Sequence, residues 1–169
     1  HDFYFEEKNR EEVIEELNLP DNVYYLNDSG VDIMGLKFWG SPITPYFRNW
    51  AFNRIGTSIL DHWDLIPADT DVLLTHGPPK KIMDLVALQY RKPEDMGDFN
   101  KGCPYLIDKV KEIEPVVHAF GHIHEGYGMR DTNREGTGNT CFINASCLDA
   151  NYQAENPPVT IEVEGKSWK

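Results

Sequence analysis

Three of the six histidines in this 169-residue sequence fall where chemistry is to be expected. His76 opens His76-Gly77-Pro78-Pro79, directly after the run Asp71-Val72-Leu73-Leu74-Thr75. His122 and His124 belong to Gly121-His122-Ile123-His124, directly after Val116-Val117-His118-Ala119-Phe120. Both preceding runs are short, mostly apolar and β-branched at the start, as a strand covered on both faces should be. Ligands gather at the carboxyl ends of strands in open α/β sheets, where loops project side chains into a crevice. Histidines delivered there by two strands suit a metal ion, because neutral imidazole is the commonest protein ligand for first-row cations. Alternate residues of an extended segment point the same way, so both rings of His-x-His reach one centre or two adjacent ones. The neighbouring glycines let the backbone turn sharply beside an ion. Each histidine alone is an ordinary surface side chain; the two strand ends together make a shared metal site.

The elements that must position these residues alternate apolar runs with amphipathic stretches, an α/β or α+β pattern. Asn9 caps a helix running to about Asn18, with Val13, Ile14 and Leu17 on one face, and Leu19-Pro20-Asp21-Asn22 stops it. Residues 23–26 and 31–39 read as strands, the second broken at Gly35 into a hairpin. Residues 40–53 form a loop carrying Pro42, Pro45, Tyr46, Phe47, Trp50 and Phe52. A helix is expected near residues 58–63, a long polar loop over 77–102, and a helix near 105–111 ended by Pro115. Residues 141–145 and 159–163 read as closing strands.

Composition narrows the function classes. With 16 basic and 28 acidic side chains the net charge is −12, which repels phosphate backbones and anionic membranes. A small-molecule partner is therefore expected, and neither a nucleic-acid polymer nor a membrane. Hydrophobic residues at 40% and charged residues at 26% fit one globular domain spanning residues 1–169. Cys103, Cys141 and Cys147 are too few and too irregular for a disulfide framework, which predicts a reducing, cytoplasmic setting. No apolar run reaches the roughly 18 residues of a spanning helix, and no secretory or targeting pattern is visible. The first residue is His1 and not Met, so the sequence is read as processed or as a piece of a longer chain.

His76-Gly77-Pro78, Gly121-His122-Ile123-His124 and the opening His1-Asp2 resemble the later signature blocks of the calcineurin-like metallophosphoesterases. Those blocks run Asp-x-His, Gly-Asp, Gly-Asn-His-Asp/Glu, a lone His, then Gly-His-x-His. Three stretches narrow the resemblance: Leu74-Thr75-His76-Gly77-Pro78-Pro79, His124-Glu125-Gly126-Tyr127-Gly128 and Ile143-Asn144-Ala145-Ser146. They look like the branch that includes the brain-expressed metallophosphoesterase-domain proteins and their bacterial relatives.

The resemblance implies an α-β-β-α sandwich with mixed sheets, of which this chain is the C-terminal portion and the N-terminal strands are missing. It implies two divalent metal ions in the complete protein (Mn, Fe, Zn or Co), with His76 and His122 on one and His124 on the other. Such ions, about 3.5–4 Å apart, polarise the phosphoryl oxygens and activate the attacking water. His1 would protonate the leaving oxygen or stabilise charge on the phosphoryl group, and Asp2 would orient it. The Asp-x-His, Gly-Asp and Asn ligands would lie before His1, so at most one ion is expected in this chain, and no turnover by it alone. The implied activity is phosphodiester hydrolysis on small or cyclic nucleotide-like substrates. A truncated sheet would also leave apolar faces open and the free chain prone to aggregate.

Two other functions compete. One is a non-catalytic remnant that binds a metal, a nucleotide or a partner without turnover. The other is a copper site at the amino group and ring of a mature N-terminal His1, which the missing secretory signal and the non-sandwich pattern disfavour. Elsewhere, His62 beside Trp63 reads as structural, and His118 as a core or supporting histidine. The loop of Tyr46, Phe47, Arg48 and Trp50 is either an aromatic minicore or a wall for a substrate base. Glu94, Asp95 and Asp98 read as a solvated loop. The run Asp131-Thr132-Asn133-Arg134-Glu135-Gly136 imitates a calcium loop, but Phe142 stands where the bidentate carboxylate is required, which excludes it.

Overall fold

In the computed structural model, which describes residues 3–93, 96–131 and 137–169, the apolar runs pair into one mixed sheet. β1 (Ser29–Ile33) and β2 (Leu36–Ser41) form an antiparallel hairpin. Met34 and Gly35 turn it at φ of 53° and 82°, the two positive values that a tight two-residue hairpin requires. β3 (Thr44–Pro45) and β4 (Asn53–Arg54) pair in parallel and close the base of the aromatic loop. β5 (Val72–Thr75), β6 (Val117–Phe120), β7 (Gly128–Asp131) and β8 (Cys141–Asn144) complete a six-stranded sheet in the order β1-β2-β5-β6-β8-β7. The inner four strands, β2, β5, β6 and β8, run parallel, and both edge strands are antiparallel. Ser41, Thr75, Phe120 and Asn144 therefore end at the same sheet edge.

Strand pleat sorts the side chains onto two faces. One carries Trp39, Leu73, Phe120 and Phe142, packed against Ile59, Leu60 and Trp63 and against Leu106, Val110 and Ile113. The latter three lie on one face of α4 (Leu106–Ile113), at i, i+4 and i+7 as a one-sided helix demands. α4 stops at Glu114 in the left-handed region, ahead of Pro115, as the sequence predicts. Near the start, α1 (Phe3–Glu6) precedes α2 (Arg10–Leu17), which Asn9 and Glu12 cap reciprocally and Asn18 ends. The short α3 (Leu60–Trp63) continues a 3-10 turn over Gly56–Ile59.

The other face carries Val72, Val116, Val117, Cys141 and Ile143, covered by Val159, Ile161, Val163 and Trp168. The fold is thus mixed α+β, as expected. Among the described residues the second β layer is reduced to the ribbon of β9 (Val163–Glu164) and β10 (Ser167–Trp168).

Two expectations need correction, and one strand went unpredicted. Residues 23–26 are irregular, not a strand: Val23 and Tyr24 are exposed, and Leu26 lies against the side-chain-free Gly40. Residues 159–162 do not join the sheet, because β7 already occupies the free side of β8. They contribute side chains to the face instead. β7 was not legible because Gly128-Met129-Arg130-Asp131 is an edge strand, largely exposed, with no apolar alternation. Among the described residues no helix is long and apolar enough to cross a membrane.

His118, on the helix-covered face, is fully buried, with its ring centroid 5.1 Å from Phe120 and 5.6 Å from Phe142. Burial pushes its pKa from the ordinary 6.5 down to about 3. Below pH 6.5 the unfolded chain takes up a proton here that the folded chain refuses, so stability falls as pH falls towards 3. Thermal melts from pH 7 to pH 4 are expected to show a steeper loss of Tm for the native chain than for His118→Gln. Parallel losses would mean that this imidazole is not the neutral core group described.

Candidate metal centre

The parallel strands deliver three turns to one edge, and backbone bonds tie them together. Gly121 N donates to His76 O at 3.0 Å, which joins the turn after β5 to the turn after β6. Asn144, fully buried at the end of β8, donates from Nδ2 to Ile123 O at 2.7 Å and accepts from Ser146 N at 3.1 Å. Held between these clamps, His122 sits at φ 69° in the left-handed region, a backbone cost of about 1–2 kcal/mol for a residue with a side chain.

That turn brings two imidazoles together. His76 Nε2 and His122 Nδ1 are 3.1 Å apart, with ring centroids separated by 4.7 Å. Two imidazole nitrogens on one ion, each at about 2.0–2.1 Å, stand about 2.8–3.4 Å apart for ligand angles between octahedral and tetrahedral, so the observed spacing accommodates a shared cation. Burial, reinforced by the neighbouring His76 and His124, pushes His122 down to about 4. Burial also lowers His76, although the residue is exposed at the surface. Both rings are neutral at pH 7, the form whose lone pairs bind metal.

His124 is placed differently. Its Nδ1 lies 3.0 Å from Asp149 O; a carbonyl only accepts, so Nδ1 carries the proton and Nε2 keeps the lone pair. A backbone carbonyl on the far ring nitrogen is the usual support for a ligating histidine. The ring packs edge-on against Tyr152 at 4.9 Å. His76 and His122 are thus paired while His124 stands on the following turn, and among the described residues no three His, Cys, Asp or Glu side chains converge into a metal-holding group. Those described residues fit a cation as a two-nitrogen half-site with a third imidazole in the correct tautomer nearby. His1 and Asp2 lie outside the described residues, as do Glu94, Asp95 and residues 132–136 of the calcium-like run.

The aromatic loop borders this pair. Phe47 and Trp50 set ring edges against His122 at 5.6 and 6.2 Å, and the Arg48 guanidinium lies over both rings at 5.3 and 5.7 Å. Phe52 alone of these packs onto the main core, while Tyr46 and Phe47 are exposed. His62 has a structural role, as expected. It donates from Nδ1 to Asp28 at 2.6 Å and accepts from Arg54 Nε at 2.8 Å, and Arg54 also pairs with Glu6 on α1 at 3.0 Å. Asp98 pairs with Lys80 at 2.6 Å. Asn144 and Asp149 support the histidines but carry no spacing signal that isolates them in the sequence.

Gly126 closes the His124 turn, its N–H donating to Ile123 O at 3.0 Å. A Cβ there would overlap the Met83 carbonyl oxygen and approach Asn144 Nδ2 to 2.9 Å. Gly126→Ala is therefore expected to cost about 1–3 kcal/mol, read by calorimetry as a Tm lower by several degrees. An unchanged Tm would mean that this turn is not seated against residue 83.

No family model matches the sequence. Individual proteins do. The chain is 40% identical over 144 residues to Metallophosphoesterase domain-containing protein 1 of Homo sapiens, covering 84% of this chain and 40% of that protein. It is 38% identical over 148 residues to the UPF0046 protein T07D4.2 of Caenorhabditis elegans, covering 86% of this chain and 34% of that protein. A second worm protein, UPF0046 protein K07C11.7, is 35% identical over 151 residues, covering 89% of this chain and 47% of that protein. The chain thus spans less than half the length of each of these relatives. Over most of its own length the sequence is similar to the metallophosphoesterase-domain and UPF0046 proteins, consistent with a metallophosphoesterase branch.

Proposed function

We propose that this chain is part of a metal-dependent phosphoester hydrolase, a phosphodiesterase acting on small or cyclic nucleotide-like substrates. The observation that carries the reading is the 3.1 Å approach of His76 Nε2 to His122 Nδ1 at the strand ends, in a sequence related to metallophosphoesterase-domain proteins. His76 and His122 hold one divalent ion and His124 a second, drawn from Mn, Fe, Zn or Co. When bound, such ions supply Lewis-acid polarisation of the phosphoryl oxygens and activation of the attacking water.

The chain's own residues do the rest. The neutral imidazoles present lone pairs, and Asp149 O keeps His124 in the tautomer that leaves Nε2 available. Phe47 and Trp50 limit solvent at His122 and offer rings on which a base can stack, while Arg48 places a cation beside them for a phosphate oxygen. On motif resemblance alone, His1 carries the proton to the leaving oxygen and Asp2 orients it. On motif resemblance, carboxylates complete the pair of ions in the whole protein, and the histidines of this chain account for at most one. Three unbridged cysteines support a cytoplasmic setting.

A second reading is a non-catalytic domain that binds metal or nucleotide. The His76–His122 pair gives it a two-nitrogen site that binds an ion without needing turnover. The test expresses the chain beside a form carrying the coding sequence upstream of His1, and assays both for bis-p-nitrophenyl phosphate hydrolysis with added Mn²⁺. Turnover by the longer form, abolished by His122→Ala, is expected, with none from the shorter chain. A longer form that loads metal yet hydrolyses no phosphoester would replace the enzyme with the binding domain.

A further inference from the structure

His118 is a fully buried imidazole that the metal centre does not use, and it leads directly to residue 76. His118 Nε2 lies 2.9 Å from Thr75 Oγ1, and Thr75 Oγ1 donates to Gly77 O at 2.8 Å. A threonine hydroxyl has one proton, and Gly77 O can only accept it. His118 must therefore carry its proton on Nε2 and donate to Thr75, leaving Nδ1 as a bare acceptor. Nδ1 is indeed buried with no partner, and an orphaned acceptor is less costly than an orphaned N–H. An aliphatic side chain would fill the space beside Phe120 and Phe142 without that desolvation cost. What the imidazole adds is a fixed donor that locks the Thr75 hydroxyl rotor towards Gly77 O.

We propose that His118 and Thr75 are positioning residues for His76, acting through the chain His118 Nε2–H, Thr75 Oγ1–H, Gly77 O. The relay ties residue 75 to residue 77 across the histidine, while the bond from Gly121 N holds the carbonyl of residue 76 itself. The His76 backbone is thereby held on both sides, which sets the point from which its ring reaches towards His122. Neither Thr75 nor His118 is among the proposed metal ligands. The inference rests on the reading of His76 as a metal ligand.

The test uses the longer form of the protein with Co²⁺ as probe, reading the visible absorption spectrum and the dissociation constant, with kcat and KM on bis-p-nitrophenyl phosphate beside them. Thr75→Val and His118→Leu are expected to weaken Co²⁺ binding about 10–100-fold, to alter the ligand-field bands and to lower kcat with little change in KM. Thr75→Ser and His118→Gln, which keep a hydroxyl and an N–H donor, are expected to restore the native spectrum. Where His118→Leu does not fold, the Thr75→Val and Thr75→Ser pair decides. ¹⁵N spectra of His118 in the metal-free protein are expected to show the Nε2–H tautomer; the Nδ1–H tautomer would overturn the relay. Folded Thr75→Val with native Co²⁺ affinity and spectrum would also overturn it, provided that His76→Ala loses the probe. If His76→Ala binds Co²⁺ as the native protein does, the ligand reading itself fails and takes the relay with it.

Discussion

The hydrogen bond from Gly121 N to His76 O is the interaction on which the site depends. It forms between two turns that are 45 residues apart in sequence, and only because β5 and β6 are adjacent and parallel, with Val72 beside Val117 and Leu74 beside Ala119. A shift of one residue in that register would turn every side chain of one strand onto the wrong face. Leu73 would leave the helix-covered core, and His76 would move about 3.3 Å along the edge, away from His122. The packing of the sheet and the geometry of the imidazole pair are therefore specified together.

Much of this scaffold is legible before any coordinates. The runs ending at Thr75 and Phe120 are short, mostly apolar and read as interior strands, and Asn9 announces the start of α2. The hairpin shows itself at Gly35. What escapes is whatever depends on packing across long separations. Residues 159–163 have strand-like composition, yet composition does not say that β7 has already taken the side of β8 they would need. Similarly, the strand ends expose His76 and His122 as candidates, but the contact of Phe47 and Trp50 with His122 arises from a loop whose path is set by the two-residue pairing of β3 and β4. Thr75, Asn144 and Asp149 act through single hydrogen bonds to backbone, and such a bond leaves no periodicity to read.

The sheet edge also shows where polar burial is tolerated. Asn144 and His118 are both enclosed completely; Asn144 ends β8, and His118, within β6, reaches Thr75 at the end of β5. Asn144 satisfies a carbonyl and an amide that a tight turn leaves facing inwards, which repays its desolvation. His118 repays only half of its own, through Nε2. The left-handed backbone of His122 adds a further local cost in the same few residues. Two departures from the most stable arrangement, the unpartnered His118 Nδ1 and the left-handed His122, thus lie close to the paired imidazoles, the pattern expected where a fold gives up stability to hold reactive groups in place.

The two faces of the sheet are closed by different parts of the chain, and this bears on how the protein is made. The helix-covered face is assembled from residues between Trp39 and Phe142. The opposite face waits for Val159, Ile161, Val163 and Trp168, and the Lys166–Asp71 ion pair that pins this strap bridges 95 residues. Contacts of such long separation form late, after their loop-closure entropy has been met. On the ribosome, Val72, Val117 and Ile143 would remain bare until the final stretch of this sequence leaves the exit tunnel. Nascent chains stalled short of residue 159 would then present a half-covered sheet, a natural client for a hydrophobic-binding chaperone.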